Sequence, residues 1–151
     1  MTVANVKEFL NANGVSHIVI KHPLAFTATS LAGAAHIPGR EMAKVVVVNL
    51  DGKPALAVTP ANRKVDLERL RKATGATSVE LTSEREFTTD FPGCEVGAMP
   101  PFGNLYGLEV FVDPHLAADA EIAFNAGTHT ELIRMAYKDF ERLVHPKLVA
   151  M

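Results

Sequence analysis

Val45-Val46-Val47-Val48, then Asp51-Gly52, then Ala55-Leu56-Ala57-Val58 is the stretch that decides the fold. Asp-Gly between two apolar runs is the favoured signature of a two-residue hairpin turn, because both turn positions take positive φ. The runs are apolar throughout, without the alternation of a half-exposed strand, so both strands are expected to be covered on both faces.

Working towards the N-terminus, residues 3–13 place Val3, Val6, Phe9 and Leu10 on one helical face, and Asn13-Gly14 ends the pattern. Residues 17–20 form a short β-branched run that reads as a strand. Small residues dominate 27–36, a short helix closed by Pro38-Gly39. Towards the C-terminus, Val65, Leu67, Leu70 and Ala73 define an amphipathic helix stopped by Gly75. Ser83 with Glu86 three residues on is a capping-box start for a helix ending near Pro92. Residues 108–112, 122–124 and 132–135 read as strands, Asp113-Pro114 as a turn, and 137–144 as a last helix. From the first strand onward the order β-α-β-β-α-α-loop-β-β-β-α predicts an α/β protein of α+β type, with helices packed around a mixed sheet.

Length and composition bound the class. A chain of 151 residues with 48% hydrophobic and 21% charged residues predicts one folded domain, 1–151, with a real core. A net charge of −2 gives no global attraction to nucleic acid, so such binding needs a local basic patch. The single cysteine, Cys94, excludes an internal disulfide framework and a multi-cysteine zinc site. Lys7 and Glu8 near the start and the lack of a long apolar run argue against a signal peptide or membrane span, so the expected compartment is the cytoplasm.

Two features carry chemistry. In Gly97-Ala98-Met99-Pro100-Pro101-Phe102-Gly103, two glycines bracket two prolines and a phenylalanine. The prolines fix φ and remove amide hydrogens, so the loop is stiff and is neither a central strand nor a helix interior. Its remaining amides, at Ala98, Met99, Phe102 and Gly103, are held in fixed directions. Such a loop reads either as a sharp structural turn or as a wall that holds a carbonyl or phosphate oxygen. The second feature is Lys44, which stands immediately before the valine run at the mouth of a strand. It either snorkels to solvent or aims its ammonium into a pocket, where it would bind phosphate or a carboxyl-derived group.

The pieces together resemble a known family. His22, Phe26-Thr27-Ala28, Gly39, Lys44 opening the valine strand, Asp51-Gly52, Val65-Asp66-Leu67 with Leu70, the Gly97-x-x-x-Pro101-Phe102-Gly103 loop, Val112-Asp113 and Asn125-Ala126-Gly127 resemble the YbaK/prolyl-tRNA synthetase-associated domain. The likeness runs from about residue 15 to about residue 140 and rests on order and spacing together. It implies a mixed, strongly curved sheet with peripheral helices, and hydrolysis of mischarged aminoacyl-tRNA in trans. The implied partners are the 3′ end of aminoacyl-tRNA and, further, an aminoacyl-tRNA synthetase, with no membrane. Lys44 matches the family lysine near the terminal adenosine and the aminoacyl ester. Gly97, Ala98 and Met99, ahead of Pro101, match the loop whose backbone meets the substrate carbonyl. Phe102 and Gly103 complete that loop. Asn125, Gly127, Thr128, His129 and Thr130 match the segment lining the far side of the pocket, His22 its entrance, and Phe26 and Thr27 further substrate-binding positions. Pro100 replaces a serine common in relatives, and Leu132 stands where some cysteine-specific members carry an acid; both bear on which amino acid is preferred.

The chemistry implied needs no metal or cofactor. An aminoacyl ester is already activated, so its hydrolysis requires a positioned water and an oxyanion site, where one donor is worth about 3–4 kcal/mol. In the family the substrate's own ribose hydroxyl assists. A second hydrolytic sieve also answers a physical need, because a binding pocket separates amino acids differing by one methylene by only about 1–3 kcal/mol. The bulk of Phe26, Met99, Pro101 and Phe102 points to a small side-chain site suited to Ala, Cys, Ser or Thr.

Other constellations are weaker. His17, His22, His36, His115, His129 and His145 include no i, i+4 pair and no His-Glu-x-x-His run. Cys94 lacks an adjacent activating base and reads as an inert thiol. Arg40, Arg63, Lys64, Arg69, Arg71 and Lys72 read first as a solvated charged face, with tRNA phosphates as the alternative partner. Two other functions share these residues: a non-catalytic module binding tRNA ends or a nucleotide-like ligand, and a hydrolase acting on a small ester.

Overall fold

The computed structural model of the chain describes residues 6–22, 37–82 and 99–151. The helices expected over 27–36 and 83–92, together with Phe26, Thr27, Cys94, Gly97 and Ala98, lie outside the described residues. In chain order the elements are α1 (Val6–Ala12), β1 (Ile18–Lys21), β2 (Ala43–Leu50), β3 (Lys53–Pro60), α2 (Leu67–Thr74), β4 (Val79–Leu81), a 3-10 turn (Gly103–Leu105), β5 (Glu109–Val112), α3 (Pro114–Ala117), β6 (Glu121–Asn125), β7 (Glu131–Ala136), α4 (Tyr137–Val144) and β8 (Lys147–Leu148).

The hairpin forms as the Asp-Gly dipeptide dictates. β2 and β3 pair antiparallel from Ala43 opposite Pro60 to Leu50 opposite Lys53, and Asp51 and Gly52 both take positive φ, 51° and 85°. The Asp51 carboxylate also accepts the amides of Thr77 (3.0 Å) and Ser78 (2.8 Å), which ties the turn to the segment entering β4. α2 is closed at both ends by its own sequence. Asp66 caps the amides of Glu68 and Arg69, and Gly75 ends the helix in the left-handed conformation at φ 76°.

The fold class is the expected mixed α/β arrangement, and the strands divide between two sheets. β1-β7-β6 is a three-stranded antiparallel sheet, and β4-β2-β3-β5-β8 is a five-stranded sheet in which β3–β5 and β5–β8 run parallel. A parallel bridge between Met42 and Ala123 joins them, reinforced by the Ala123 amide donating to the Glu41 carbonyl (2.9 Å).

Strand alternation sorts the side chains into two layers. Ala43, Val45 and Val47 of β2 join Leu56, Val58, Val110, Val112, Phe124 and Ile133 in the main core. Val46 and Val48 face the other way, with Ala57, Phe111 and Leu70 of α2. Coverage on both faces holds for β3, buried from Ala55 to Pro60, but not for all of β2, where Val45 and Val46 are only half-buried. The reason is position: β3 is the central strand of the five, and β2 lies one place nearer the edge. Asp113-Pro114 does more than turn the chain. Asp113 caps the short α3, its carboxylate accepting the His115 amide at 2.8 Å, and Pro114 takes the first helical position.

Candidate active site

Lys44 is the second residue of β2, opposite Thr59. It is half-buried, and its Nζ donates to the main-chain carbonyl of Arg63 (2.7 Å), in the turn between β3 and α2. An ammonium carries three donors, and this carbonyl takes one. Partial burial, helped by the nearby Lys64 charge, lowers the Lys44 pKa below that of an ordinary lysine. Lys44 thus does not simply snorkel; its head group is held against the end of the sheet. Beside it Thr59 is fully buried, its hydroxyl donating to the Pro60 carbonyl.

A second group of expected site residues gathers where β6 turns into β7. The His22 amide donates to the Thr130 carbonyl (3.0 Å), and β1 pairs with β7 through Lys21 opposite Glu131. This brings His22, at the end of β1, beside the segment 125–130. Within that segment Gly127 takes φ 97°, a conformation that favours glycine, and the Thr130 amide donates to the Thr128 hydroxyl (3.4 Å). His129 and His22 are both buried, Asn125 and Thr128 half-buried, and Thr130 exposed. The Met42–Ala123 bridge relates the two groups. From it β2 and β6 run in the same direction, with Lys44 two residues beyond Met42 and Asn125 two residues beyond Ala123.

The described part of the proline loop has a different role from the one expected of it. Phe102 is fully buried, with its ring 5.4 Å from Phe124, 5.4 Å from Phe140 and 5.9 Å from Phe9. Its side chain has no surface for a substrate, so Phe102 is a core anchor. The Met99 side chain is likewise buried in that cluster and Pro101 is buried in the loop, which corrects both as pocket walls and leaves the expectation for the Met99 backbone amide untouched. Gly103 is also scaffold. A Cβ there would lie 2.5 Å from the Leu108 carbonyl oxygen and 2.6 Å from a Val110 methyl, and its own carbonyl accepts the amides of Tyr106 and Leu108. Their bulk therefore gives no measure of pocket size. Strand alternation also sets Lys44 on the opposite face of β2 from Ala43, Val45 and Val47, the residues that share the core with Met99 and Phe102. Leu132 is a core residue too, packed with Met42 and Ala123, while the adjacent Glu131 forms an ion pair with Lys7.

Sequence reasoning missed the Arg63 carbonyl, a main-chain group with no side-chain signature. It also missed a buried carboxylate paired with an imidazole. Asp113 is 1% exposed and accepts from His115 Nδ1 at 2.7 Å. The Asp-Pro dipeptide that opens α3 was the available signal for Asp113. Among the described residues no group of three or more His, Cys, Asp or Glu side chains is placed to hold a metal, and no helix is long and apolar enough to cross a membrane.

Comparison with known proteins places these features in a family. The family model of the aminoacyl-tRNA editing domain matches residues 22–143, well over half of the chain, from His22 through Leu143. The chain belongs to the aminoacyl-tRNA editing domain family. This editing domain is 28% identical over 145 residues to the multifunctional Ser/Thr-tRNA deacylase ProXp-y of Escherichia coli K12, covering 93% of this chain and 86% of the relative. It is 29% identical over 99 residues to a proline–tRNA ligase of Nitratidesulfovibrio vulgaris, covering 65% of this chain but only 17% of that much longer protein. Among solved structures it matches a candidate trans-editing enzyme for prolyl-tRNA synthetase with a TM-score of 0.82 at 21% identity, over 97% of this chain and 94% of the other. At that identity the match speaks for the fold.

Proposed function

We infer that this chain is a trans-editing aminoacyl-tRNA deacylase, which hydrolyses the ester joining a misattached amino acid to the tRNA 3′ end. The observation that carries the reading is the family match over residues 22–143, which encloses Lys44 and the 125–130 segment. The similarity to a Ser/Thr-tRNA deacylase along nearly the whole of both chains supports it. In this reading water adds to the ester carbonyl and the ribose oxygen leaves, giving free amino acid and uncharged tRNA. Lys44 is the residue assigned to the reacting end. Its ammonium is fixed on one side by the Arg63 carbonyl and offers further N–H donors to the carbonyl or phosphate oxygens of a bound aminoacyl-adenosine. Backbone amides of Gly97, Ala98 and Met99 are proposed as oxyanion donors. His22 and the segment Asn125, Gly127, Thr128, His129 and Thr130 are proposed to line the amino-acid side of the pocket. The substrate class proposed is tRNA carrying a small amino acid, Ala, Cys, Ser or Thr.

The test is deacylation of Ala-, Cys-, Ser- and Thr-charged tRNAs by purified protein, with Phe-tRNA as the bulky control. Release of at least one small amino acid well above the spontaneous rate is expected. Release of none, with tRNA still bound, would instead make the chain a binding module.

A further inference from the structure

Three chain ends meet beyond Lys44. The antiparallel register puts the entry to β2 beside the exit from β3, locked by the Ala61 amide donating to the carbonyls of Gly39 (3.1 Å) and Met42 (2.8 Å). The Asp113 amide donates to the Val58 carbonyl (3.0 Å), which brings the start of α3 to the same place. Between these ends lies a cleft of about 280 Å³ lined by Arg40, Pro60, Asn62, Arg63, His115 and Asp119.

We propose that this cleft binds a backbone phosphate of the RNA whose 3′ end reaches Lys44. The inference rests on the deacylase reading for the identity of the RNA, but its argument is local. Two guanidiniums and one carboxamide, all hydrogen-bond donors, converge on one concave surface. The chain as a whole carries a net charge of −2, so this concentration of donors departs from the surface average. The Arg63 main-chain carbonyl holds the Lys44 ammonium, so the cleft and Lys44 share Arg63. Lys64, adjacent in sequence, acts on Lys44 as a like charge, so positive potential accumulates across this end of the sheet. The His115 ring forms one wall of the cleft and is held in place by the buried Asp113 carboxylate on Nδ1.

Three carboxylates oppose these donors, Glu41, Asp113 and Asp119, and Asp113 is occupied by His115. Glu41 is engaged by Arg134 at 2.9 Å and by Arg40 at 3.6 Å. Asp119 is the acid in the cleft itself, and burial, with Glu41 nearby, raises its pKa above that of an ordinary aspartate. Planar guanidiniums suit the oxygens of a phosphodiester better than a lysine does, because they offer paired N–H groups in a fixed fork.

The experiment is equilibrium binding of the full chain to an uncharged acceptor-stem RNA hairpin ending in single-stranded CCA, followed by fluorescence anisotropy between low and moderate salt. The double variant Arg40→Ala/Arg63→Ala is expected to weaken binding about tenfold and to lower the slope of log Kd against log salt by about one, for the one phosphate no longer neutralised. The Lys/Lys version of the double variant should recover most of the slope. Asp119→Asn is expected to tighten binding, the opposite direction. Arg142→Ala, which removes one positive charge from the exposed face of α4, is the control for a charge lost away from the cleft and should bind as the parent does. Unchanged affinity and slope in the double variant, with its melting temperature intact, would overturn the proposal, as would a parent chain that binds no hairpin at low salt. Because the RNA is uncharged, neither result depends on turnover, whereas failure of the deacylase reading would appear only as absent amino-acid release.

Discussion

Lys44 and Phe102 illustrate what single residues do here. Lys44 combines a lowered pKa with a fixed geometry, from burial and the Lys64 charge on one side and the Arg63 carbonyl on the other. A lowered lysine pKa means that the ammonium is lost at lower pH than usual. Activity that needs the charged form should therefore fall on the alkaline side before a normal lysine would titrate. Lys64→Ala removes one of the two causes and should move that alkaline limb to higher pH, measured as single-turnover deacylation after subtraction of spontaneous hydrolysis. A limb that stays in place would detach Lys44 from the pH response. Lys44 stands out in the sequence because a charged residue opening an apolar strand is conspicuous, and the structure adds its half-burial and its bond to the Arg63 carbonyl. Phe102 was legible as important but not in its role. Its place beside glycine and prolines suggests a substrate wall, whereas packing makes it the ring on which Phe9, Phe124 and Phe140 converge. Phe102→Ala should accordingly cost about 3–5 kcal/mol of stability in chemical denaturation, where a surface loop residue would cost well under 1 kcal/mol.

At the scale of elements, the β2–β3 hairpin was readable to the residue because its turn chemistry is local. Gly52 has φ 85° and open space around its Cα, so Gly52→Ala would strain the backbone without a clash, and a loss of about 1 kcal/mol is expected. Gly103→Ala is the contrast. Its Cβ would strike backbone, so a loss of about 1–3 kcal/mol or more is expected, with turnover per folded molecule retained at low temperature. If Gly103→Ala instead left the melting temperature alone and removed activity, the loop would return to the substrate. The short strands β4 and β8 escaped detection for a physical reason. Three residues with the pattern Val-Glu-Leu and two with Lys-Leu are too short to show a period, and both are edge strands whose partners supply the pairing. The capped α2 was the opposite case, since Asp66 and Gly75 declare its ends in the sequence.

At the scale of the molecule, the strand pattern predicts strands but not their partners, which is why the division into three and five strands was invisible. The Met42–Ala123 bridge that joins the sheets connects residues 81 positions apart, and nothing local encodes it. Yet that bridge, with the β1–β7 pairing, relates Lys44 to His22 and the 125–130 segment. Family resemblance supplied from order and spacing what local propensity could not, and the editing-domain match over 22–143 agrees with it. The central claim is that the whole assembly hydrolyses aminoacyl-tRNA with Lys44 at the reacting end. Its most direct test is single-turnover release of labelled amino acid from Ser-, Thr-, Ala- and Cys-tRNA by the parent chain and by Lys44→Ala. The account predicts release by the parent, a loss of at least a hundredfold in the variant, and nearly unchanged melting. Turnover of the variant within a few-fold of the parent would contradict it.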